Sequence, residues 1–127
     1  MIVKHKSNLL GTSNSAGGDG WSSTRFLVQS DGVGFSLNDT EVAAGTEMEL
    51  HYSNHIEANY CISGTGTLTD VETGQTYPIK PGMMYCLDKH DRHKISADAN
   101  EPLRFICVFT PALVGDESHN EDGGYDA

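Results

Sequence analysis

An all-β single domain, closed as a small barrel or sandwich, is the fold class this sequence predicts, and three observations predict it. Short runs rich in Val, Ile, Thr and aromatic residues recur along the chain. Gly, Pro, Asn and Asp interrupt them roughly every 8–12 residues, the punctuation of all-β barrels and sandwiches. No segment has the length or period of a βαβ unit, and no internal repeat stands out. At 127 residues the chain can bury one hydrophobic core and not two, so residues 1–127 form one domain.

Taken in order, residues 1–4 could serve as an edge strand pairing across a two-fold axis, and only residues 4–10 could form a short helix. Residues 11–20, "GTSNSAGGDG", read as a flexible loop, because glycine and small polar residues offer little to bury. Strands are expected at "STRFLVQ", "GVGFSLND", "TEMELHYS", "EANYCISG", "GTLTDVET", "QTYPIK", "MMYCLD", "RHKISA" and "LRFICVF". Hairpin turns are expected at "SGTG" and "ETGQ", and a tight turn at "KPG". Residues 116–127 read as a polar, acidic tail, disordered unless a ligand or partner orders it.

Composition excludes several functions. The chain carries 8 Lys and Arg against 18 Asp and Glu, a formal net charge of -10, and no basic cluster, so nucleic acid and anionic membrane are poor partners. The N-terminal stretch lacks the apolar run of a secretory signal, and no segment is long and apolar enough to span a bilayer, so a cytoplasmic location is expected. Cys61, Cys86 and Cys107 are odd in number and far apart, which signals neither a disulfide framework nor a zinc ribbon.

The stretch "GTEMELHYSNHIEANYCISGTG", residues 45–66, carries the chemistry. After Gly45 come His51, Ser53, Glu57 and Gly64 in turn, and later Gly82 precedes His93. These spacings resemble the two motifs of the cupin superfamily, G-x5-H-x-H with a following Glu, and one later His. They depart from it at Ser53, where a second His should stand. On the residues alone two readings stay open. His51, Glu57 and His93 could form a two-His-one-carboxylate face for iron, or the barrel could have abandoned metal and bind a solute by shape. Tyr85, three residues beyond the Pro81-Gly82 turn, adds a phenol that could bind iron as phenolate beside Glu57 and His93.

Four stretches together, "GWSSTRFLVQSDGVGFS", "AGTEMELHYSNHIEANYCISGTG", "YPIKPGMMYCLDKHDRH" and "RFICVFTPALVGDESHNEDGGY", resemble the ectoine synthase family from about Trp21 to Tyr125. The resemblance implies a small single-domain cupin, a jelly-roll-type β-barrel, acting as a dimeric lyase. It implies closure of N-gamma-acetyl-L-2,4-diaminobutyrate to the cyclic amidine ectoine with loss of water, a step in making a compatible solute under osmotic stress. It implies Fe(2+), or another divalent transition metal, on Glu57, Tyr85 and His93. It implies substrate contacts at Trp21, Arg25, Thr40, Tyr52, Cys107, Phe109 and Glu117, with Leu87 and Asp91 shaping the same region.

Within that reading Arg25 and Thr40 anchor the substrate carboxylate, Trp21 covers the amine, and Tyr52 and Glu117 join the catalytic set, Glu117 by folding the tail over the barrel mouth. The family pattern breaks at "TPALVGDES", where Thr110, Ala112 and Asp116 replace an Asn, a Pro and a basic residue ahead of Glu117. An iron-dependent cupin oxygenase built on His51, Glu57 and His93, and a non-catalytic solute-binding cupin, are the alternative functions.

Overall fold

The structure, a computed structural model, describes residues 1–125. Strands β1 (Ser15–Gly18), β2 (Trp21–Leu27), β3 (Ser36–Val42), β10 (Leu103–Thr110), β5 (Ile56–Ser63) and β8 (Met84–Cys86) lie side by side, in that order, in one antiparallel sheet. Strands β4 (Glu47–Leu50), β9 (His93–Ala97), β6 (Gly66–Asp70) and β7 (Thr76–Ile79) form the second. The two inner faces enclose one core of Val42, Cys61, Leu68, Ile79, Leu103 and Phe105 among others. Strand β10 shows how the sequence builds it: Leu103, Phe105, Cys107 and Phe109 are buried and the residues between them are not. Period-two alternation of this kind sends alternate side chains into a barrel.

All nine expected strands are present, and a tenth was hidden. Residues 15–18, expected as loop, pair with β2 as strand β1. Glycine is what permits it: a Cβ at Gly18 would stand 2.5 Å from the Trp21 indole nitrogen, so only a bare backbone lets the ring lie there. The "ETGQ" turn does join a hairpin, β6 to β7, and Met83 N donates to the Lys80 carbonyl across the "KPG" turn. The "SGTG" turn makes no hairpin. It carries the chain from β5 in one sheet to β6 in the other. Gly64, at φ +88°, passes so close to Leu103 that a Cβ would lie 2.9 Å from its Cα. Proline sits where a ladder tolerates it, Pro78 in the edge strand β7. The expected helix is one 3-10 turn, Lys6–Asn8, and residues 1–4 join no strand of the chain.

Candidate active site

Three strands carry the groups of the barrel floor. Glu57 on β5 and Tyr85 on β8, opposite Asn59, line the cavity, and His93 on β9 of the facing sheet meets Tyr85 from the neighbouring pocket. Tyr85 and His93 have ring centroids 6.3 Å apart. His93 is oriented by its own turn: Nδ1 donates to the Asp91 carbonyl at 2.9 Å, which leaves Nε2 as the free lone pair. Leu87 N donates to the Glu57 carbonyl at 2.8 Å, tying the chain just past β8 to β5. His93 Nε2 and Tyr85 Oη are both buried without a hydrogen-bond partner. Burial pushes the Glu57 carboxyl up to about 8, with Asn59 and Cys107 pulling it part of the way back. Burial likewise raises the Tyr85 phenol and holds the His93 imidazole neutral.

Such groups suit a cation. A carboxyl, a phenol and a neutral imidazole sealed from water are costly unless something charged meets them, and a divalent metal inverts that cost. Second-sphere support of the Asp91–His93 kind is what metal-ligating histidines ordinarily have. The generic triad is not assembled: among the described residues no group of three His, Cys, Asp and Glu side chains converges. His51 turns outward, with Nδ1 2.9 Å from Asp122 Oδ2, and Ser53 is exposed in the turn after β4.

The roof is the segment after β10. Arg25, wholly buried on β2, donates through Nη1 to the carbonyls of Gly115 (3.1 Å) and Glu117 (2.8 Å), through Nη2 to Tyr125 Oη (3.3 Å) and through Nε to Ser23 Oγ (3.3 Å). Its guanidinium also faces the rings of Trp21 and Tyr125. The Glu117 carboxylate accepts from its own loop, from Val114 N at 2.6 Å and Gly115 N at 2.7 Å, and lies 3.8 Å from Arg25. Those backbone donors and Arg25 outweigh burial and hold its carboxyl below the usual range. His119 stacks on Tyr125 at 5.0 Å and stands 4.6 Å from Trp21. The Tyr52 hydroxyl and its Nε2 are hydrogen-bonded at 2.9 Å.

Tyr125 is buried against Tyr52, Phe109 and His55. It gets there because Gly123 and Gly124 slide along β4: Gly123 O accepts from His51 N, and a side chain at Gly124 would collide with the His51 carbonyl. At the rim Arg92 binds Asp122 at 2.5 Å and Glu49 at 3.1 Å.

The structure therefore brings Trp21, Thr40, Tyr52, Glu57, Tyr85, Cys107 and Phe109 onto one cavity wall. Arg25 and Glu117 meet each other in the roof instead, and Thr40 Oγ1 lies 3.0 Å from Ser23 Oγ. Sequence reasoning missed His119, Tyr125 and Asn59. The signal for Asn59 was its place two residues from Glu57 on one strand, which puts both on the same face. The enclosed space is only about 30 Å³, room for about one water, where ligand pockets run to about 300–1,000 Å³. A second, more open pocket of about 300 Å³ reaches Tyr85 and His93 between Leu68, Tyr77, Met83 and Asp91.

Two sheets closed around an inward-facing set of this kind define a cupin. The cupin domain of Cnp3 from Schizosaccharomyces pombe superposes with a TM-score of 0.61 at 14% identity, over 72% of this chain and 64% of that one, a likeness of fold alone. Within that class the chain belongs to the ectoine synthase family, whose sequence pattern matches residues 1–127. It is 46% identical to the L-ectoine synthase of Hyphomonas neptunium over 127 residues, all of this chain and 94% of that one. It is 49% identical to the crystal structure of ectoine synthase from P. lautus, with a TM-score of 0.88 over 97% of this chain and 87% of that one. No described helix is long and apolar enough to cross a membrane.

Proposed function

We propose that the chain is a lyase that closes N-gamma-acetyl-L-2,4-diaminobutyrate to ectoine with loss of water. The observation that carries this reading is a pair of buried groups without partners, Tyr85 Oη and His93 Nε2, with the buried Glu57 on the same cavity wall as Tyr85. Those three residues would hold Fe(2+) or a similar divalent cation, which supplies Lewis-acid polarisation of the substrate acetamide.

The chain's own residues carry the rest. Two obstacles face the reaction: the amide is a poor electrophile, and the attacking amine is largely protonated at neutral pH. Close packing by Tyr52, Phe109 and Trp21 curls the flexible substrate so that amine meets carbonyl, the entropic part of the catalysis. Tyr52, hydrogen-bonded to neutral His119, offers a route for the amine proton to leave the cavity. Cys107 lines the wall as a buried thiol, its pKa raised by burial, and is no nucleophile.

The roof acts as the gate. A cavity of about 30 Å³ cannot admit this substrate, so residues 113–125 lift for entry and close over it. While the roof is lifted, the Arg25 guanidinium, released from Gly115, Glu117 and Tyr125, joins Thr40 in anchoring the substrate carboxylate, and Glu117 is freed to pair with the amine. In this reading the protein is a cytoplasmic homodimer. The unpaired edge of β8 with exposed Met84, and the exposed Met1 and Val3 of a segment that joins no strand at home, support strand addition across a two-fold.

Incubation with the acetylated diaminobutyrate under anaerobic conditions, with and without chelator, tests the function. Cyclic amidine formed only in the unchelated sample is the expected result. Oxygen consumption in its place would establish the oxygenase alternative, and saturable binding of unaltered substrate the solute-binding one.

A further inference from the structure

Asn59 is a buried polar residue that the chemistry above does not use. It is 2% exposed, it lines the cavity, and its Nδ2, though near enough to lower the Glu57 carboxyl, has no partner at hydrogen-bond geometry. Leaving a buried amide donor unpaired costs about 1–3 kcal/mol, and an apolar residue would fill the position at no such cost. Its surroundings are specific. Registration across the sheet places Asn59 between Cys107 on β10 and Tyr85 on β8, and Glu57 precedes it by two residues on the same face of β5. The unpaired donor thus stands among the groups that would face the reacting carbonyl.

The chemistry of the amide narrows its partner. The amide carries two N–H donors, and each must meet an oxygen acceptor, because an N–H cannot ligate a cation and the substrate amine is itself a donor. Glu57 can take one, and for the other the substrate offers two oxygens, its carboxylate and its acetamide. Beside Glu57 and Tyr85 the reading above puts the acetamide. We propose that the Asn59 side-chain amide is a catalytic hydrogen-bond donor to the acetamide oxygen, stabilising the negative charge that gathers there as the ring closes. The proposal rests on the cyclisation reading.

In that step the amine lone pair forms the new C–N bond and the C=O π pair moves onto the oxygen facing Nδ2. The amine then gives up its two protons, the oxygen gains two, and it leaves as water as the C=N bond forms. A fixed donor aimed at developing charge needs no reorganisation at the moment of reaction, and losing one such donor lowers kcat about 100- to 1,000-fold.

The test compares Asn59→Asp, which keeps shape and one oxygen but loses the donor, with Asn59→Ser and the wild type, each as iron-loaded enzyme. The expected result is a kcat lowered about 100- to 1,000-fold, a KM within about twofold, unchanged iron stoichiometry and thermal midpoint, and unchanged affinity for ectoine itself. A raised KM with kcat held would place Asn59 on the ground-state carboxylate and overturn the proposal. Loss of iron in both variants would make it a support for Glu57 and overturn it as well. A wild type that forms no cyclic amidine overturns the cyclisation reading and this one with it, whereas an active wild type beside an undiminished Asn59→Asp overturns this one alone.

Discussion

The floor and the roof of the cavity are made of similar residues but are finished differently. On the floor, Tyr85 Oη and His93 Nε2 are sealed in without partners, and the Glu57 carboxyl is pushed up to about 8 by burial. In the roof, Arg25 donates to Gly115, Glu117, Tyr125 and Ser23, Glu117 caps its own loop, and His119 is hydrogen-bonded to Tyr52. The floor is anchored on three strands of two sheets, while the roof follows the last strand and packs back through hydrogen bonds and ring contacts. A surface left unsatisfied on a rigid frame is prepared to receive something. A surface satisfied by itself on a terminal segment has to let go first.

Substitutions on the floor should break this contrast most severely. Glu57→Ala, Tyr85→Ala and His93→Ala are expected each to lose bound iron and to lower turnover by about 1,000-fold or more, as loss of a catalytic charge stabiliser does. Metal analysis beside the kinetics checks it. His51→Ala should keep its iron, because that ring faces Asp122 and Arg92. If His51→Ala loses metal while Tyr85→Ala retains it, the two-His-one-carboxylate reading is right instead.

Substitutions in the roof should spare the metal and slow the chemistry. Truncation after Val114 removes Glu117, His119 and Tyr125 together. It is expected to lower kcat/KM about 100-fold with iron content unchanged, and a fully active truncation would remove the roof from the mechanism. Arg25→Ala unties the roof at its centre, so cleavage after Glu117 and Glu121 by a glutamyl endopeptidase should quicken even without substrate. Resistance equal to wild type would show that Arg25 does not hold the segment.

The smallest effect is one of pH. Burial, with Arg25 nearby, holds the His119 imidazole down to about 4 in the closed state, against an ordinary value of about 6.5. A base whose pKa is depressed on closing binds more protons when open, so closure is fully supported above about pH 6.5 and weakens as pH falls toward about 4. Glu117 and Asp122, held below the usual carboxylate range, titrate later on the same descent. Trp21 is the only tryptophan and stands 4.6 Å from His119, so its emission should report opening over this interval. His119→Asn should flatten the transition.

The strands were legible because turn residues bracket each run and alternate residues are apolar, as in Leu103, Phe105, Cys107 and Phe109. Strand β1 was not, since Gly17 and Gly18 carry no side chain to show a pattern, and what recruits them is the Trp21 ring several residues on. Glycine spacing singled out Glu57 and His93, and the turn singled out Tyr85, and the structure buries all three. The roof was legible only through the family resemblance, because "GDESHNEDGGY" is polar and acidic, the composition of a tail. Only Gly123 and Gly124 lying flat on β4 let Tyr125 turn inward, and single-sequence periodicity has no means to record such a contact.

The roof is fastened at two depths, and the two fastenings answer differently to dissolved ions. At the rim, Arg92 and Asp122 are roughly one-third and one-half exposed, and at about 1 M salt their attraction is screened within about 3 Å. Arg25, with none of its side chain in contact with solvent, is insulated from that screening. A concentrated electrolyte would therefore loosen the hem of the cover while its central stitch holds, letting the gate breathe at its edge without coming away.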